Sequence, residues 1–391
     1  MVRRCMGVFG VLAAVSTAGC VDRMLVPAEC GDGIAVRGEV CFGDVVESFR
    51  VPFAPLALRA AVVDGDGVPD VLVTGVDGAG AVVGTLSRGA GDGTLASPVD
   101  AGVFGCSAYP ATGDANGDAT RDLLVDACDD TMLVFLGGPD GRFASPAIVD
   151  VDVATRTSAI EDVDADGIAD VIALGSAGDV VALTWARGDG AGGYAAPVGT
   201  VVGSVGAPDE PTGFSIGLLD GDGLPDVVLS HADPMQPPRL ALGTGGAFAD
   251  PIPWPELPPA RGVASLEVDG DGDRELVVIG TDGTTFEVWR GRVGALRRLA
   301  TTSIDDAPGR VLAAGDIDGD GGLDLAFHDP TRTDIDLWLG DGDGGWDRAG
   351  RLAVGDPVDQ LAILDLDDDG AAELVIGAFS AGAITILPSD P

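Results

Sequence analysis

A nine-residue acidic pattern, D-x-D-x-D-G-x-x-D or a near copy, recurs seven times along the chain. Self-similarity at a fixed period restricts the fold more than any other feature of a sequence. The copies are VVDGDGVPD at 62–70, DANGDATRD at 114–122, DVDADGIAD at 162–170, LLDGDGLPD at 218–226, EVDGDGDRE at 267–275, DIDGDGGLD at 316–324 and DLDDDGAAE at 365–373. Their closing acidic residues fall 52, 48, 56, 49, 49 and 49 residues apart. Chance does not hold a nine-residue pattern at that period.

Every unit orders its segments alike. In the sixth, RVLAAG at 310–315 precedes the acidic loop and LDLAF at 323–327 follows it. DIDLWLG at 334–340 then runs into the turn DGDGGW, and RAGRLAVG at 348–355 closes the unit. Short apolar segments bounded by Gly and Asp turns are strands. The 61 glycines and 25 prolines also favour many turns over long helices. Four antiparallel strands in a unit of roughly 50 residues make one propeller blade. The expected fold is therefore all-β, a seven-bladed β-propeller spanning 44–391. The seventh unit stops after AITILPS at 383–389, its third strand, while DVVESFRVPF at 44–53 stands alone before the first. That N-terminal segment is expected to complete blade seven, so that the ring closes without a long open edge.

The repeat resembles the FG-GAP/VCBS repeat of integrin α-chain heads and bacterial surface proteins, over roughly residues 44–391. The resemblance implies a propeller whose acidic loops face away from the usual ligand face.

Carboxylates at alternating positions of a tight turn can point inward together. Calcium takes six to eight oxygens at about 2.3–2.6 Å, and magnesium prefers a compact octahedron with its waters kept. Calcium is thus the expected cofactor, at several sites. Positions 1, 3, 5 and 9 supply Asp162, Asp164, Asp166 and Asp170 in the third loop, and Asp316, Asp318, Asp320 and Asp324 in the sixth. The seventh has Asp365, Asp367, Asp369 and Glu373, and the fifth Glu267, Asp269, Asp271 and Glu275. The second has Asp114, Asn116, Asp118 and Asp122, with Ala119 where glycine belongs. The first and fourth keep Asp64, Asp66, Asp70 and Asp220, Asp222, Asp226, with Val62 and Leu218 at position 1. Those three loops are weakened sites. Asp and Gly as mere turn formers would explain acidic turns, but not Asp recurring at the same four positions. A glycosidase needs one special carboxylate pair in one cleft, whereas these carboxylates repeat in every blade.

The net charge is −41, and all 22 basic residues are arginine. A nucleic-acid partner needs a basic face, so none is expected. Residues 1–20 read MVRRCMGVFGVLAAVSTAGC: a basic start, an apolar stretch too short to span a bilayer, then small residues before a cysteine. This resembles a bacterial lipoprotein signal peptide, which implies removal of 1–19, lipidation of Cys20 and export to the cell envelope. Residues 20–43 would be a tether, in which CGDGIAVRGEVC resembles a small cysteine-rich repeat of surface lipoproteins. Two disulfides are expected in that oxidising setting, Cys30 with Cys41 and Cys106 with Cys128. Cys106 and Cys128 as two buried thiols are the alternative.

No G-x-S-x-G, H-E-x-x-H or P-loop occurs. His231 and His328 are expected in loops between second and third strands, and carry no zinc pattern. Those loops and the fourth-to-first connections should build the ligand face. Arg156, Asp209, Glu210, Arg261, Asp305, Asp306, Arg310, Asp329 and Arg332 lie there. The expected function is a non-enzymatic surface binding or adhesion module for a protein or glycan, touching the membrane only through its lipid. A polysaccharide lyase is the alternative; with no lysine it would depend on Arg, His, Tyr109 or Tyr194. A structural envelope protein is another.

Overall fold

The computed structural model describes residues 3–4, 19–20, 25–26, 40–43, 47–105, 110–127, 129–138, 141–208, 210–231, 233–268, 274–303, 311–328, 332–355 and 358–389. Seven four-stranded antiparallel sheets form the blades, each in the order first, second, third, fourth strand. Blade one runs Ala54–Ala61, Asp70–Val76, Val82–Ser87 and Val99–Val103. Blade three runs Ala154–Glu161, Asp170–Ala177, Val180–Ala186 and Val198–Ser204. Blade six runs Val311–Gly315, Asp324–His328, Asp334–Gly340 and Trp346–Ala353, close to the four segments expected for it. Among the described residues the one helical element is a 3-10 turn, Phe379–Ala381.

Blade seven takes Gln360–Leu364, Glu373–Ala378 and Ala383–Leu387 from the C-terminal end, and Glu47–Arg50 as its fourth strand. Ile384 faces Phe49 and Ile386 faces Glu47 across this pairing. The expected closure is present, made by four residues of the ten in 44–53.

Second strands are apolar almost throughout because both faces of each blade are covered. Successive residues point to opposite neighbours. In blade one, Val71 and Val73 pack with Leu366, Val375, Ile384 and Ile386 of blade seven. Leu72, between them, packs with Leu123, Val125 and Phe135 of blade two. Each pair of neighbouring blades shares one such cluster, including the seam between seven and one. Burying one such side chain stabilises by about 1.5–3 kcal/mol, so the ring is held by seven interfaces of similar kind. Fourth strands lie outermost, and Ile148 and Val201 are exposed there.

First strands of blades one, three, four and five carry a β-bulge at the same place, between Pro55 and Ala57, Thr155 and Thr157, Pro211 and Gly213, and Ala260 and Gly262. In blades one and three the second strand opposes the bulge with a glycine. A Cβ on Gly75 or Gly175 would sit 2.1 or 2.3 Å from the carbonyl oxygen of Ala54 or Ala154. A bulge re-aims the extra side chain, here Leu56, Arg156, Thr212 and Arg261, all at the end of the ring away from the acidic loops.

Cys30, Cys106 and Cys128 lie outside the described residues, as do the side chains of Cys20 and Cys41. Asp209, Asp269, Asp271, Asp305, Asp306, Arg310, Asp329 and Tyr109 also lie outside them.

Candidate cation loops and the opposite face

All seven acidic loops join first to second strands, so they gather at one end of the ring. Among the described residues, their shape comes from two left-handed positions. Position 6 has φ of 93° at Gly67, 87° at Gly167, 84° at Gly321 and 94° at Gly370, as the glycine pattern predicts. Ala119 takes the same region at 68° without being glycine. Position 4 is left-handed as well, a requirement the repeat pattern did not reveal: Gly65, Gly117, Gly221 and Gly319 comply, and Ala165 and Asp368 are forced to 59° and 60°. Left-handed residues on either side of position 5 turn the chain sharply there, and the Asp at position 5 is exposed in blades one, two, three, four and seven.

Where position 1 is Asp, its carboxylate closes the loop on backbone amides. Asp316 accepts from Asp320 N at 3.1 Å and Gly321 N at 2.8 Å. Asp162 accepts from Asp166 N and Gly167 N in the same way. Val62 and Leu218 cannot do this.

Position 9 carries a second task that spacing did not reveal. Asp70, Asp122, Asp170, Asp226, Glu275, Asp324 and Glu373 are all fully buried. One oxygen accepts the amide of position 2, as from Val163 to Asp170 at 3.0 Å and Ile317 to Asp324 at 2.7 Å. The other accepts an amide at or just beyond the end of the third strand: Gly89, Gly137, Gly188, Gly243 or Gly340. The carboxylate thus staples the loop to the third strand of its own blade. Glutamate is one methylene longer, and its partner changes accordingly. Glu275 takes Arg290 Nε at 2.7 Å, and Glu373 takes Ser389 Oγ at 3.0 Å. The glycine recurring at the end of most third strands was the available signal.

Three loops bring three carboxylates within 4.8 Å of one another, which is enough to seat a cation: Asp162, Asp164, Asp170; Asp316, Asp318, Asp320; and Asp365, Asp367, Glu373. These oxygens are hard donors suited to a hard divalent ion. Among the described residues the loops of blades one, two and four form no such group.

The FG-GAP-like repeat family matches residues 162–229 and 267–327, each match beginning on an acidic loop. The chain carries FG-GAP-like repeats. No curated protein matches the sequence. Solved structures match most of the chain. A chain from the crystal structure of BBS1N in complex with ARL6DN, soaked with lead, is 11% identical, with a TM-score of 0.55, over 89% of this chain and 96% of that one. The mercury-soaked counterpart is 10% identical, with a TM-score of 0.52, over the same shares. At that identity the likeness is one of fold.

Burial, only partly offset by the stapling amides, pushes the closing carboxylates up. Asp70, Asp122 and Asp170 rise to about 6, Glu373 to about 7 and Asp324 to about 8. The folded state therefore holds protons that the unfolded chain has released. Their stabilising contribution is complete below about pH 4 and is lost as pH climbs through 6 to 8. A tenfold difference in acidity between the folded and unfolded chain is worth about 1.4 kcal/mol. Carboxylates held low, such as Asp282 at about 2 on the amides of Thr284 and Thr285, count only in stronger acid. With divalent ions removed, the melting temperature should be higher at pH 5 than at pH 8 by at least about 5 °C. Scanning calorimetry in chelator measures this, and a melting temperature that is flat or rises with pH contradicts it.

At the other end, a cavity of about 390 Å³ lies between blades two and three. Arg59, Asp126, Thr155, Arg156, Thr157 and Ser158 line it. Arg59 Nε donates to Pro110 O at 3.0 Å, and Arg156 pairs with Glu210. Arg261 donates to Thr281 O, and Arg332 to Asp334. The histidines differ from expectation. His231 and His328 end their second strands and are buried, and His328 Nδ1 lies 3.2 Å from Asp334 O. Neither presents a ring to solvent, because the blade flanks cover both.

Proposed function

We propose that this chain is an exported, calcium-stabilised binding module of the cell envelope, held by lipid on Cys20, which takes a protein or glycan on the face opposite its acidic loops. The division of labour between the two ends carries this reading. At one end the carboxylates are committed to closing loops and stapling strands, with three groups close enough for a cation. At the other, bulged first strands aim side chains outward around a polar cavity holding both donors and acceptors. Sugar hydroxyls and peptide amides need that mixture. Calcium suits the loops better than magnesium because several carboxylates converge, and magnesium prefers a compact octahedron that keeps its waters. The chemistry is non-enzymatic in this reading. A lyase needs a base poised near neutral pH, and burial pushes the Tyr194 phenol further above its ordinary value.

Glycan and protein arrays probed with the mature chain, in calcium and in chelator, test the proposal. A saturable ligand is expected, lost on Arg156→Ala while the melting curve is kept. Unsaturated sugar products released from a polysaccharide would establish the lyase instead. Empty arrays in both arms would leave a purely structural envelope protein.

A further inference from the structure

The residue just before each stapling position divides the blades into two kinds. It is Arg88, Arg187 and Arg290 in blades one, three and five, and Leu136, Leu242, Leu339 and Pro388 in the others. All three arginines turn back onto the acidic loop of their own blade. Arg88 Nη1 lies 3.6 Å from Asp64, at position 3. Arg290 Nε takes Glu275 Oε1 at 2.7 Å, at position 9. Arg187 does the most: its Nε sits 2.8 Å from Asp164 Oδ2, and its Nη2 bonds Asp166 Oδ2. The other oxygens of these two aspartates accept the amides of positions 5 and 7, and Asp162 has both oxygens on amides. A guanidinium fork thus occupies the free oxygen of Asp164, one of the three carboxylates close enough together to seat a cation, and that of the exposed Asp166 beside it.

By acid count alone the third loop equals the sixth. The geometry does not treat them equally. Guanidinium is permanently charged and binds two carboxylates side by side, so it neutralises the loop without a metal. We propose that Arg187 is the resident counter-ion of the blade-three loop and excludes a divalent cation from it. Cation sites are thereby confined to loops whose equivalent position is uncharged, foremost that of blade seven, where Pro388 stands. Arg88 and Arg290 each place a positive charge on one carboxylate of their own loops, Asp64 and Glu275. This rests on the calcium reading above, and it makes arginine at this one position the determinant of which blades take the ion.

Calcium counted by equilibrium dialysis, alongside native mass spectrometry, tests it on the mature chain. Arg187→Gln, at a half-exposed site, should bind one more calcium per chain than wild type. Arg187→Lys keeps a cation at the loop and should match wild type. Asp367→Asn should bind one fewer. In chelator, Arg187→Gln should melt below wild type, and calcium should restore it. A Gln variant that matches wild type, while Asp367→Asn loses one ion, overturns the counter-ion role and leaves the calcium reading standing. No bound calcium in any of the four proteins overturns both.

Discussion

Asp226→Ala is expected to remove about 3–6 kcal/mol of stability, equally in calcium and in chelator. Asp226 is fully buried, and its carboxylate accepts from Leu219 N and Gly243 N, both at 2.9 Å, and from Asp220 N at 3.1 Å. Alanine leaves at least two buried amides with no acceptor, at about 1–3 kcal/mol each. It also leaves a small void beside the second strand, which adds to the cost. Blade four is the right place for the measurement because Leu218 holds position 1 and no cation group forms there. A loss confined to the calcium arm would show that position 9 acts through an ion. Asp226→Asn keeps the shape and one acceptor but turns an amide donor toward a donor, so it should fall between alanine and wild type. For a ring of this size each kcal/mol moves the melting temperature by roughly 2–3 °C, so the alanine variant should melt about 6–18 °C lower. An unchanged melting curve would remove the staple from the account of the fold.

The blade count and the closing strand were legible because both follow from local pattern. Seven acidic loops at an even period demand seven equal units, and a missing fourth strand at one end matches a spare strand at the other. The staple was hidden because it depends on where the third strand ends relative to the loop. Gly137 lies fifteen residues from Asp122, and its glycine reads in sequence as one more turn former. The exchange of Asp for Glu was visible at 275 and 373, but its reason is spatial: a longer acid meets Arg290 or Ser389 in place of a glycine amide. Acid counting likewise set the third loop beside the sixth, because nothing local ties Arg187 to Asp164, twenty-three residues away. The histidines were placed in loops by their neighbours, Pro and Asp, yet the strands extend one residue further and bury them. The bulges that aim Arg156 and Arg261 at the end of the ring away from the acidic loops belong to strand register and leave no composition signal.

Chelation at neutral pH is expected to lower the melting temperature by about 5–15 °C, and the effect should shrink near pH 5. Each cation that binds only the folded loop stabilises by RT ln(1 + [L]/Kd), about 1.4–2.7 kcal/mol at ten- to hundredfold saturation. The loops of blades six and seven offer two such groups with no arginine at the neighbouring position. Ions bound at both would together contribute about 3–5 kcal/mol. Their location raises the effect. Blade seven is the one blade assembled from both parts of the chain, and its cluster with blade one closes the ring. Removing an ion there leaves Asp365, Asp367 and Glu373 to repel one another beside the seam, in a chain already at −41. Acid relieves the same repulsion by protonating Glu373 and Asp324, pushed up to about 7 and about 8 by burial. Proton and cation are therefore alternative remedies for one strain, and each should weaken the apparent effect of the other. Calorimetry across pH 5 to 8, with and without chelator, resolves this. Curves that overlay at pH 7.5 would mean that the loops hold themselves closed through their amides and arginines alone.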